Sequence, residues 1–185
     1  MDPQPNLETE RLILRPFRLS DAKRVQLLAG SKEIATYTNM PNPYLDGVAK
    51  DWINTHESVF QDGKGAVFAI TLKDNGELIG AISLININKT SNHAAIGFWI
   101  GVPYWNNGYC TEAGKAILRY GFTERGLNRL YASYMSSNHA SRRVLEKLGM
   151  IYEGTQRQHI TKLGEYEDLD LVGILKSEWE KLETK

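Results

Sequence analysis

Three apolar segments that follow one another at short intervals restrict the fold of this chain more than any other feature. AVFAITL (66–72) and LIGAISLININ (78–88) are separated by KDNGE, in which Asn75 and Gly76 are typical of a hairpin turn. AAIGFWIGV (94–102) follows after the polar stretch NKTSNH. Strands joined by connections this short run antiparallel, because a parallel pair needs a long crossover. The sequence therefore predicts three antiparallel strands at its centre.

Helices and further strands are predicted on both sides of these segments. RLILRPF (11–17) alternates like a first strand, and Ser20 is predicted to be the N-cap of a helix that ends near Gly30. The segment 46–61 is amphipathic with a helical period. The later elements are predicted as a helix at 111–122, a strand at 129–135, a helix at 140–148, a strand beginning MIYEG, a strand at 167–175 and a terminal helix. This order predicts an α/β (α+β) fold in a single domain spanning 1–185, with a mixed, mostly antiparallel twisted sheet and helices on both faces.

Composition argues against several classes of protein. Lysine plus arginine and aspartate plus glutamate both number 22, so no net charge draws the chain to nucleic acid or to a membrane surface. The one cysteine, Cys110, excludes an internal disulfide framework and a multi-cysteine zinc site. The N-terminal stretch lacks the basic and apolar regions of a secretory signal, and no apolar run has the length of a membrane span. We therefore expect a cytoplasmic protein with no metal, no nucleic acid and no membrane partner.

The loop WNNGYCTEA (105–113) joins the third strand to the next predicted helix. In such a turn, successive backbone amides point at the space in front of the helix, and the helix dipole makes that space favourable for an anion. Gly108 lets the backbone take a positive φ or approach a ligand closely. The same residues also suit a plain strand-to-helix turn, in which Thr111 and Glu112 merely favour the first helical turn. From the loop alone, both interpretations stay open.

Five segments, taken in order, resemble a known family. They are ETERLILRPF, IGFWIGVPYWNNGYCTEA, YGF, LNRLYA and NHASRRVLEKLGMIYEG. Together they look like the GNAT superfamily of acetyltransferases, specifically its RimJ/RimL-like branch, and the resemblance covers nearly the whole chain. It implies an enzyme that transfers the acetyl group of acetyl-CoA to a primary amine.

The resemblance also implies where coenzyme A binds. The anion in front of the loop is then its pyrophosphate, and the third strand lines the pantetheine arm, with amides around Trp99 to Val102 free to polarise the thioester carbonyl. Asn106 and Asn107 stand where relatives carry basic residues or further glycines, so binding should depend on amides and on the Thr111 hydroxyl. The expected cofactor-binding residues are Ile100, Gly101, Val102, Asn106, Asn107, Gly108, Tyr109, Cys110, Thr111, Asn138 and Arg143.

The expected chemistry needs a group that accepts a proton from the amine. Many relatives carry a glutamate where this sequence has Ala95, so the most obvious base is missing. The candidate replacements are His159, Glu165 and Asp168, near the last two strands, or ordered water, and we name His159 as catalytic. A lone histidine on a strand is also typical of a structural or exposed residue. Asp168 and Asp170 share a strand face, so one of them can attract a cationic amine, although both can equally be solvated charges.

The segment NHASRRVLEKLG predicts a helix that begins at Asn138 and stops at Gly149. As an N-cap, Asn138 would accept a hydrogen bond from the Ser141 amide. The resemblance implies more, because the matching Asn contacts the cofactor arm and the matching Ser of the N-x-x-S pattern lies near the cofactor sulfur. A hydroxyl there can protonate or stabilise the departing thiolate, so Ser141 is named as catalytic. Tyrosine fills this role in many relatives, but Tyr152 is expected to pack on a strand.

The acceptor is expected to bind between the insertion after the first helix and the final hairpin. Tyr37, Asn39 and Asp168 are its expected contacts, although an ordinary loop would carry the same residues. The branch resemblance favours the α-amino group of a protein or peptide, of the ribosomal-protein type. A polyamine, an aminoglycoside or an amino-acid-like metabolite stays open. So does a non-catalytic acyl-CoA-binding module, which the missing glutamate at Ala95 would favour, and the chain can be a monomer or a homodimer.

Overall fold

The structure is a computed structural model that describes residues 3–184. The strands in this range are β1 (Leu7–Glu8), β2 (Leu12–Pro16), β3 (Ala66–Leu72), β4 (Leu78–Asn88), β5 (His93–Ile100), β6 (Arg129–Met135), β7 (Ile151–Lys162) and β8 (Glu165–Leu175). They form one eight-stranded sheet in the order β1-β2-β3-β4-β5-β6-β8-β7. The pair β5 and β6 is parallel and the other neighbouring pairs are antiparallel. The predicted mixed, mostly antiparallel sheet is confirmed.

Helices cover both faces of this sheet. The helices in the described range are α1 (Ala22–Ala29), α2 (Lys32–Tyr37), α3 (Val48–Asn54), α4 (His56–Gln61), α5 (Tyr109–Arg119), α6 (His139–Lys147) and α7 (Lys176–Glu183). Side chains alternate along a strand, so Phe68 and Ile70 of β3 join one core while Ala69 between them joins another. The first core includes side chains of α5, α6 and α7, and the second includes side chains of α1, α2 and α3.

Most element positions agree with the sequence predictions. The strand predicted at 129–135 is β6, and the predicted turn between β3 and β4 contains Gly76 with a φ of +72°. The helix predicted at 111–122 is α5, which ends at Arg119 and continues as a π-helical turn over Tyr120–Glu124. The two-residue strand β1, which pairs with β2, is an addition that the sequence did not indicate.

One predicted helix boundary is wrong. Ser20 does not cap α1, because Leu19–Asp21 form a 3₁₀ turn in which the Asp21 carboxylate accepts a hydrogen bond from the Arg18 amide at 2.8 Å. The amphipathic segment 46–61 is helical as expected and contains two helices, since α3 ends at Asn54 and α4 begins at His56. At Ser20, the local hydrogen bond to Asp21 outweighs the capping propensity of serine.

Candidate active site

The strands β5 and β6 separate after a short parallel contact. His93–Ala95 pair with Arg129–Tyr131, and the register between the two strands ends there. β5 continues to Ile100 in contact with β4, whereas β6 continues to Met135 in contact with β8. The two strands therefore leave an opening in the sheet.

A cavity of about 340 Å³ lies at the β5 side of this opening. Its walls come from α2, from the end of β5, from the loop before α5, and from α5 and α6. The residues that line it are Glu33, Ile34, Tyr37, Thr38, Phe98, Trp99, Ile100, Tyr104, Trp105, Asn106, Gly108, Tyr109, Cys110, Thr111, Asn138, Ala140, Ser141, Arg143, Val144 and Lys147.

The end of β5 directs backbone amides into the opening. The Gly101 amide donates to the Ile79 carbonyl at 2.8 Å and so points toward β4. Because amides alternate sides along a strand, those of Phe98 and Ile100 point away from β4. The Ile100 carbonyl on that side accepts a hydrogen bond from Trp105 Nε1 at 2.6 Å, which ties the following loop to the strand. The expectation that Gly101 offers a free amide is therefore wrong.

The turn into α5 contains two residues with a positive φ. Asn106 has a φ of +63° and Gly108 a φ of +79°, a region that glycine occupies without cost and asparagine tolerates. Gly108 is the N-cap of α5, and a Cβ atom added there would lie 3.5 Å from Arg11 Nη2. The residues from Gly108 to Thr111, at the start of this eleven-residue helix, line the cavity, and amides at a helix start favour an anion.

A cation that the sequence did not indicate lies beside this turn. Arg11 Nη1 donates to the Asn107 carbonyl at 3.1 Å, and the guanidinium lies 4.6 Å from the centre of the Tyr109 ring. Arg11 Nε and the Arg11 backbone amide each donate to the Glu112 carboxylate at 2.7 Å. These contacts hold the turn, and they place a positive charge next to its amides although Asn106 and Asn107 are neutral.

The start of α6 forms another wall of the cavity. Asn138 Oδ1 accepts a hydrogen bond from the Ser141 amide at 3.1 Å, so the predicted N-cap is confirmed. Ser141 also lines the cavity. Arg143 and Lys147, one helical turn apart, add two positive charges to the same wall.

The helix α2 forms a further wall of the cavity, and Tyr37 is the one residue of this wall that the sequence analysis named. Ile34 belongs to the second core and also lines the cavity, as do Glu33 and Tyr37, which lie one turn apart. Lys162, at the end of β7, donates from Nζ to the carbonyl of Thr38. The β7–β8 hairpin is thereby attached to the end of α2.

Cys110 contributes an unreactive thiol to the cavity. Burial raises the pKa of the Cys110 thiol to about 12. The thiol therefore stays protonated at neutral pH, and a protonated thiol is a poor nucleophile. Its place in the cavity is that of a small apolar wall group.

Comparison with known proteins identifies the family. The acetyltransferase (GNAT) domain family matches residues 11–151. An uncharacterized N-acetyltransferase of Bacillus subtilis (strain 168), YoaA, is 33% identical over 172 residues, which cover 93% of this chain and 97% of that protein. This chain belongs to the GNAT acetyltransferase family.

Two further comparisons concern ribosomal-protein acetyltransferases. The [ribosomal protein uS5]-alanine N-acetyltransferase of Escherichia coli (strain K12) is 28% identical over 120 residues, covering 64% of this GNAT chain and 62% of that enzyme. The solved structure of RimL, a ribosomal L7/L12 α-N-protein acetyltransferase in complex with coenzyme A, superimposes with a TM-score of 0.86 at 18% identity. The superposition covers 92% of this chain and 98% of the RimL chain, and it shows that the two proteins share a fold. The resemblance to RimJ/RimL-like GNAT acetyltransferases is confirmed.

The GNAT cavity brings together most of the residues that the sequence named. Those that line it are Tyr37, Ile100, Asn106, Gly108, Tyr109, Cys110, Thr111, Asn138, Ser141 and Arg143. Those that do not line it are Asn39, Gly101, Val102, Asn107, His159 and Asp168.

The residues outside the cavity have other surroundings. Asn107 Nδ2 donates to the Trp105 carbonyl at 2.9 Å, so the Asn107 side chain holds the loop. Val102 begins a 3₁₀ turn, and Asn39 is exposed beyond the end of α2. His159 is exposed on the edge strand β7, away from the cavity walls.

Asp168 also lies apart from the cavity. Its Oδ1 accepts a hydrogen bond from the Gln158 amide at 2.7 Å, where β7 is irregular and Gln158 has a φ of +49°. The carboxylate therefore stabilises the irregular part of the hairpin, and with Arg157 and Gln158 it borders a separate surface depression.

The cavity also contains residues that the sequence did not single out. For Glu33 and Lys147 a signal existed, since each is one helical turn from a named residue, Tyr37 or Arg143. For Tyr104 no local signal exists. Its hydroxyl donates to Glu77 at 2.6 Å and accepts a hydrogen bond from Arg24 at 2.6 Å, and both partners are distant in sequence.

Two other kinds of feature are absent from the part of the chain that the structure describes. Among residues 3–184, no three histidine, cysteine, aspartate or glutamate side chains are grouped so that they could hold a metal ion. No helix in the same range combines the length and the apolar character that crossing a membrane requires.

Proposed function

We propose that this GNAT enzyme acetylates the α-amino group of a protein or peptide in the cytoplasm, with acetyl-CoA as the acetyl donor. The observation that carries the proposal is the opening between β5 and β6, where strand amides and the start of α5 meet in one cavity. The similarity to two enzymes named as ribosomal-protein acetyltransferases supports a protein α-amine as the acceptor.

The residues of the opening fit coenzyme A. The amides from Gly108 to Thr111 would hold the pyrophosphate, with Arg11 supplying charge beside them. Arg143 and Lys147 would hold further phosphate. The apolar surfaces of the cavity, among them the wall at Cys110, suit the pantetheine arm.

Two groups of this chain would then act on the reaction. Acetyl-CoA supplies an acetyl group activated as a thioester. The Phe98 and Ile100 amides would hold the thioester carbonyl oxygen, and one such donor is typically worth about 3 kcal/mol of activation free energy. The Ser141 hydroxyl would donate a proton to the departing sulfur.

The composition of the cavity supports an α-amine over a lysine-like amine. An α-amino group with a pKa of about 7.7 to 8.0 loses its proton at pH 7 for about 1 kcal/mol, whereas an amine of pKa about 10.4 costs about 4 to 5 kcal/mol. No histidine is among the described residues that line the cavity. A site without a base of neutral pKa therefore suits the acceptor that is easier to deprotonate.

The acceptor can be tested with a mixture of defined amines. The purified protein is incubated with acetyl-CoA, spermidine, an aminoglycoside, and two lysine-containing peptides of one sequence, of which one has a blocked N-terminus. Mass spectrometry should find acetyl on the free N-terminus and little on the blocked peptide. Exclusive acetylation of spermidine or of the aminoglycoside would overturn the acceptor assignment.

A non-catalytic acyl-CoA-binding module makes a different prediction. Such a module would gain thermal stability from acetyl-CoA, but it would release no free thiol with any amine of the mixture. A thiol assay run on the same samples separates the two functions.

A further inference from the structure

The charged side chains in the cavity are few and unequal in sign. Among the lining residues that the structure describes, Arg143 and Lys147 carry positive charge and Glu33 is the one carboxylate. Positive charge suits the phosphates of a cofactor. A single carboxylate in the same space is suited instead to a cationic group, and the acceptor amine is cationic before it reacts.

The position of Glu33 is fixed by its helix. Ser31 caps α2 by accepting a hydrogen bond from the Ile34 amide at 3.3 Å, and the Ile34 side chain is buried. At the other end, Lys162 donates to the Thr38 carbonyl. Because the helix is anchored at both ends, Glu33 and Tyr37 are held at the cavity wall.

Glu33 is also free to bind a ligand. Within residues 3–184 its carboxylate makes no hydrogen bond or ion pair, whereas two carboxylates of β8 are occupied. Asp168 accepts from the Gln158 amide at 2.7 Å, and Asp170 accepts from the Ser136 hydroxyl at 2.8 Å. Glu33 is thus the carboxylate that an acceptor in the cavity can reach.

The position where many relatives carry a glutamate offers no alternative. Ala95 is the last residue of β5 that pairs with β6, opposite Tyr131, and its methyl group cannot accept a proton. We propose that the Glu33 carboxylate acts as the base instead, binding the ammonium form of the acceptor and accepting one of its protons. This role of Glu33 rests on the proposed function.

The protons of this reaction balance. The first leaves the ammonium nitrogen for the Glu33 carboxylate and passes from there to solvent. The neutral amine then forms the N–C bond to the acetyl carbon as the C–S bond breaks. As the amide forms, the nitrogen loses a second proton, while the sulfur takes a proton from Ser141. The proton from the nitrogen replaces the one that Ser141 gave. The products are therefore the amide, the free thiol and one released proton.

The test compares Glu33→Gln with wild type and with Glu57→Gln. Glu57 is a matched control, because it is exposed and occupies the first turn of another six-residue helix, α4, as Glu33 does in α2. Steady-state kcat/KM is measured on a free-N-terminus peptide from pH 6 to pH 9.5, and acetyl-CoA affinity is measured by calorimetry.

We expect Glu33→Gln to lower kcat/KM at pH 7 by roughly tenfold or more, and the deficit to shrink above about pH 8, where the α-amine arrives neutral. Acetyl-CoA affinity and the Glu57→Gln enzyme should match wild type. Full activity of Glu33→Gln, a deficit equal at all pH values, or a loss of acetyl-CoA affinity would overturn the role of Glu33 alone. Failure of the wild type to release thiol with any amine would overturn the proposed function as well.

Discussion

Arg11 donates two hydrogen bonds to Glu112, each of 2.7 Å, one from its backbone amide and one from its Nε. The Thr9 hydroxyl donates a third to the same carboxylate at 2.6 Å. Burial by itself would raise the pKa of Glu112, but these hydrogen bonds hold it below its ordinary value. The ion pair therefore joins the residue that precedes β2 to the start of α5, next to the proposed phosphate site.

Loss of the Arg11 guanidinium should weaken both the fold and cofactor binding. Arg11→Gln frees the Asn107 carbonyl and leaves the Glu112 charge without its ion pair. Because the Arg11 side chain is 45% exposed, we expect a loss of only about 1 kcal/mol in unfolding free energy. Acetyl-CoA affinity should fall by roughly three- to tenfold, from one charge-assisted hydrogen bond or less.

Urea unfolding and calorimetric titration measure the two effects of Arg11→Gln. Arg119→Gln is the matched control, since Arg119 also forms an ion pair, with Glu183 at 2.9 Å, but lies at the end of α5 that is far from Gly108. It should leave both quantities unchanged within error. Equal affinity in the Arg11 and Arg119 variants would remove Arg11 from the phosphate site.

Substitution of Gly108 should weaken acetyl-CoA binding in a protein that still folds. Gly108→Val places a β-branched residue at a φ of +79° and fills space in front of the α5 amides. Gly76→Val imposes the same strain in the β3–β4 turn, where φ is +72° and an added Cβ meets no atom within 4 Å. Calorimetry should show a large loss of affinity in the first variant and none in the second. Comparable affinities would show that the turn at Gly108 does not bind the cofactor.

The extent to which the sequence predicted this site depends on the range of the interactions. The Asn138 cap, the positive φ of Gly108 and the strand β6 follow from residues within a few positions of each other, so local patterns were sufficient. The ion pair between Arg11 and Glu112 joins residues 101 positions apart, and no local pattern signals it. Sequence proximity to the last strands made His159 a candidate, but the strand order places it on the sheet edge.

The N-cap of α1 was predicted wrongly for a related reason. Ser20 has the right side chain for a cap, yet the nearby Asp21 carboxylate is held by Arg15 at 2.8 and 2.9 Å and by the Arg18 amide. That competing network starts a 3₁₀ turn ahead of α1. The capping propensity of one residue cannot decide between a cap at Ser20 and a 3₁₀ turn at Asp21, because the 3₁₀ turn depends on Arg15 of the neighbouring strand β2.

The buried imidazole of His56 should make stability depend on pH. It packs against the rings of Phe17 and Trp52, with centroids 5.3 and 4.4 Å away, and burial lowers the pKa of His56 from 6.5 to about 4. The unfolded chain therefore binds this proton more readily than the folded one. The contribution of the neutral His56 to the unfolding free energy is complete above about pH 6.5. It is lost as the pH falls toward 4, by up to about 3 kcal/mol.

Unfolding free energies at pH 7.5 and pH 4.5 test this contribution. His56→Phe keeps a ring against Phe17 and Trp52 but cannot bind a proton, so its loss between the two pH values should be smaller than in wild type by about 2 to 3 kcal/mol. His159→Gln, at an exposed position, should lose as much as wild type. An unchanged pH dependence in His56→Phe would mean that His56 protonates without cost in the folded state.

Two substitutions of Asn138 should separate its cap from its proposed contact with the cofactor. Asn138→Ala removes the acceptor for the Ser141 amide and should cost about 1 kcal/mol of unfolding free energy. Asn138→Asp keeps an acceptor oxygen at the N-terminus of α6, where negative charge is favourable, so stability should return. Both variants lack the side-chain amide donor, so the acetyl-CoA affinity of each should be lower than that of wild type. Wild-type affinity in Asn138→Asp would restrict Asn138 to the cap.

Ser141→Ala should lower kcat while acetyl-CoA affinity and melting temperature change little. The Ser141 amide, which the substitution keeps, makes the cap hydrogen bond, so the hydroxyl is the group that is tested. Ser141 lines the same cavity as Phe98 and Ile100, and a departing thiolate with an intrinsic pKa near ~8.5 is stabilised by a donor at the sulfur. Loss of such a donor lowers kcat by roughly 10- to 1000-fold. Steady-state rates on the identified amine, with affinity measured by calorimetry on the same preparation, decide the matter. A fully active Ser141→Ala enzyme would assign the proton donor to another group, and the cavity offers Tyr37, Tyr104 and Tyr109 as the hydroxyls to substitute next.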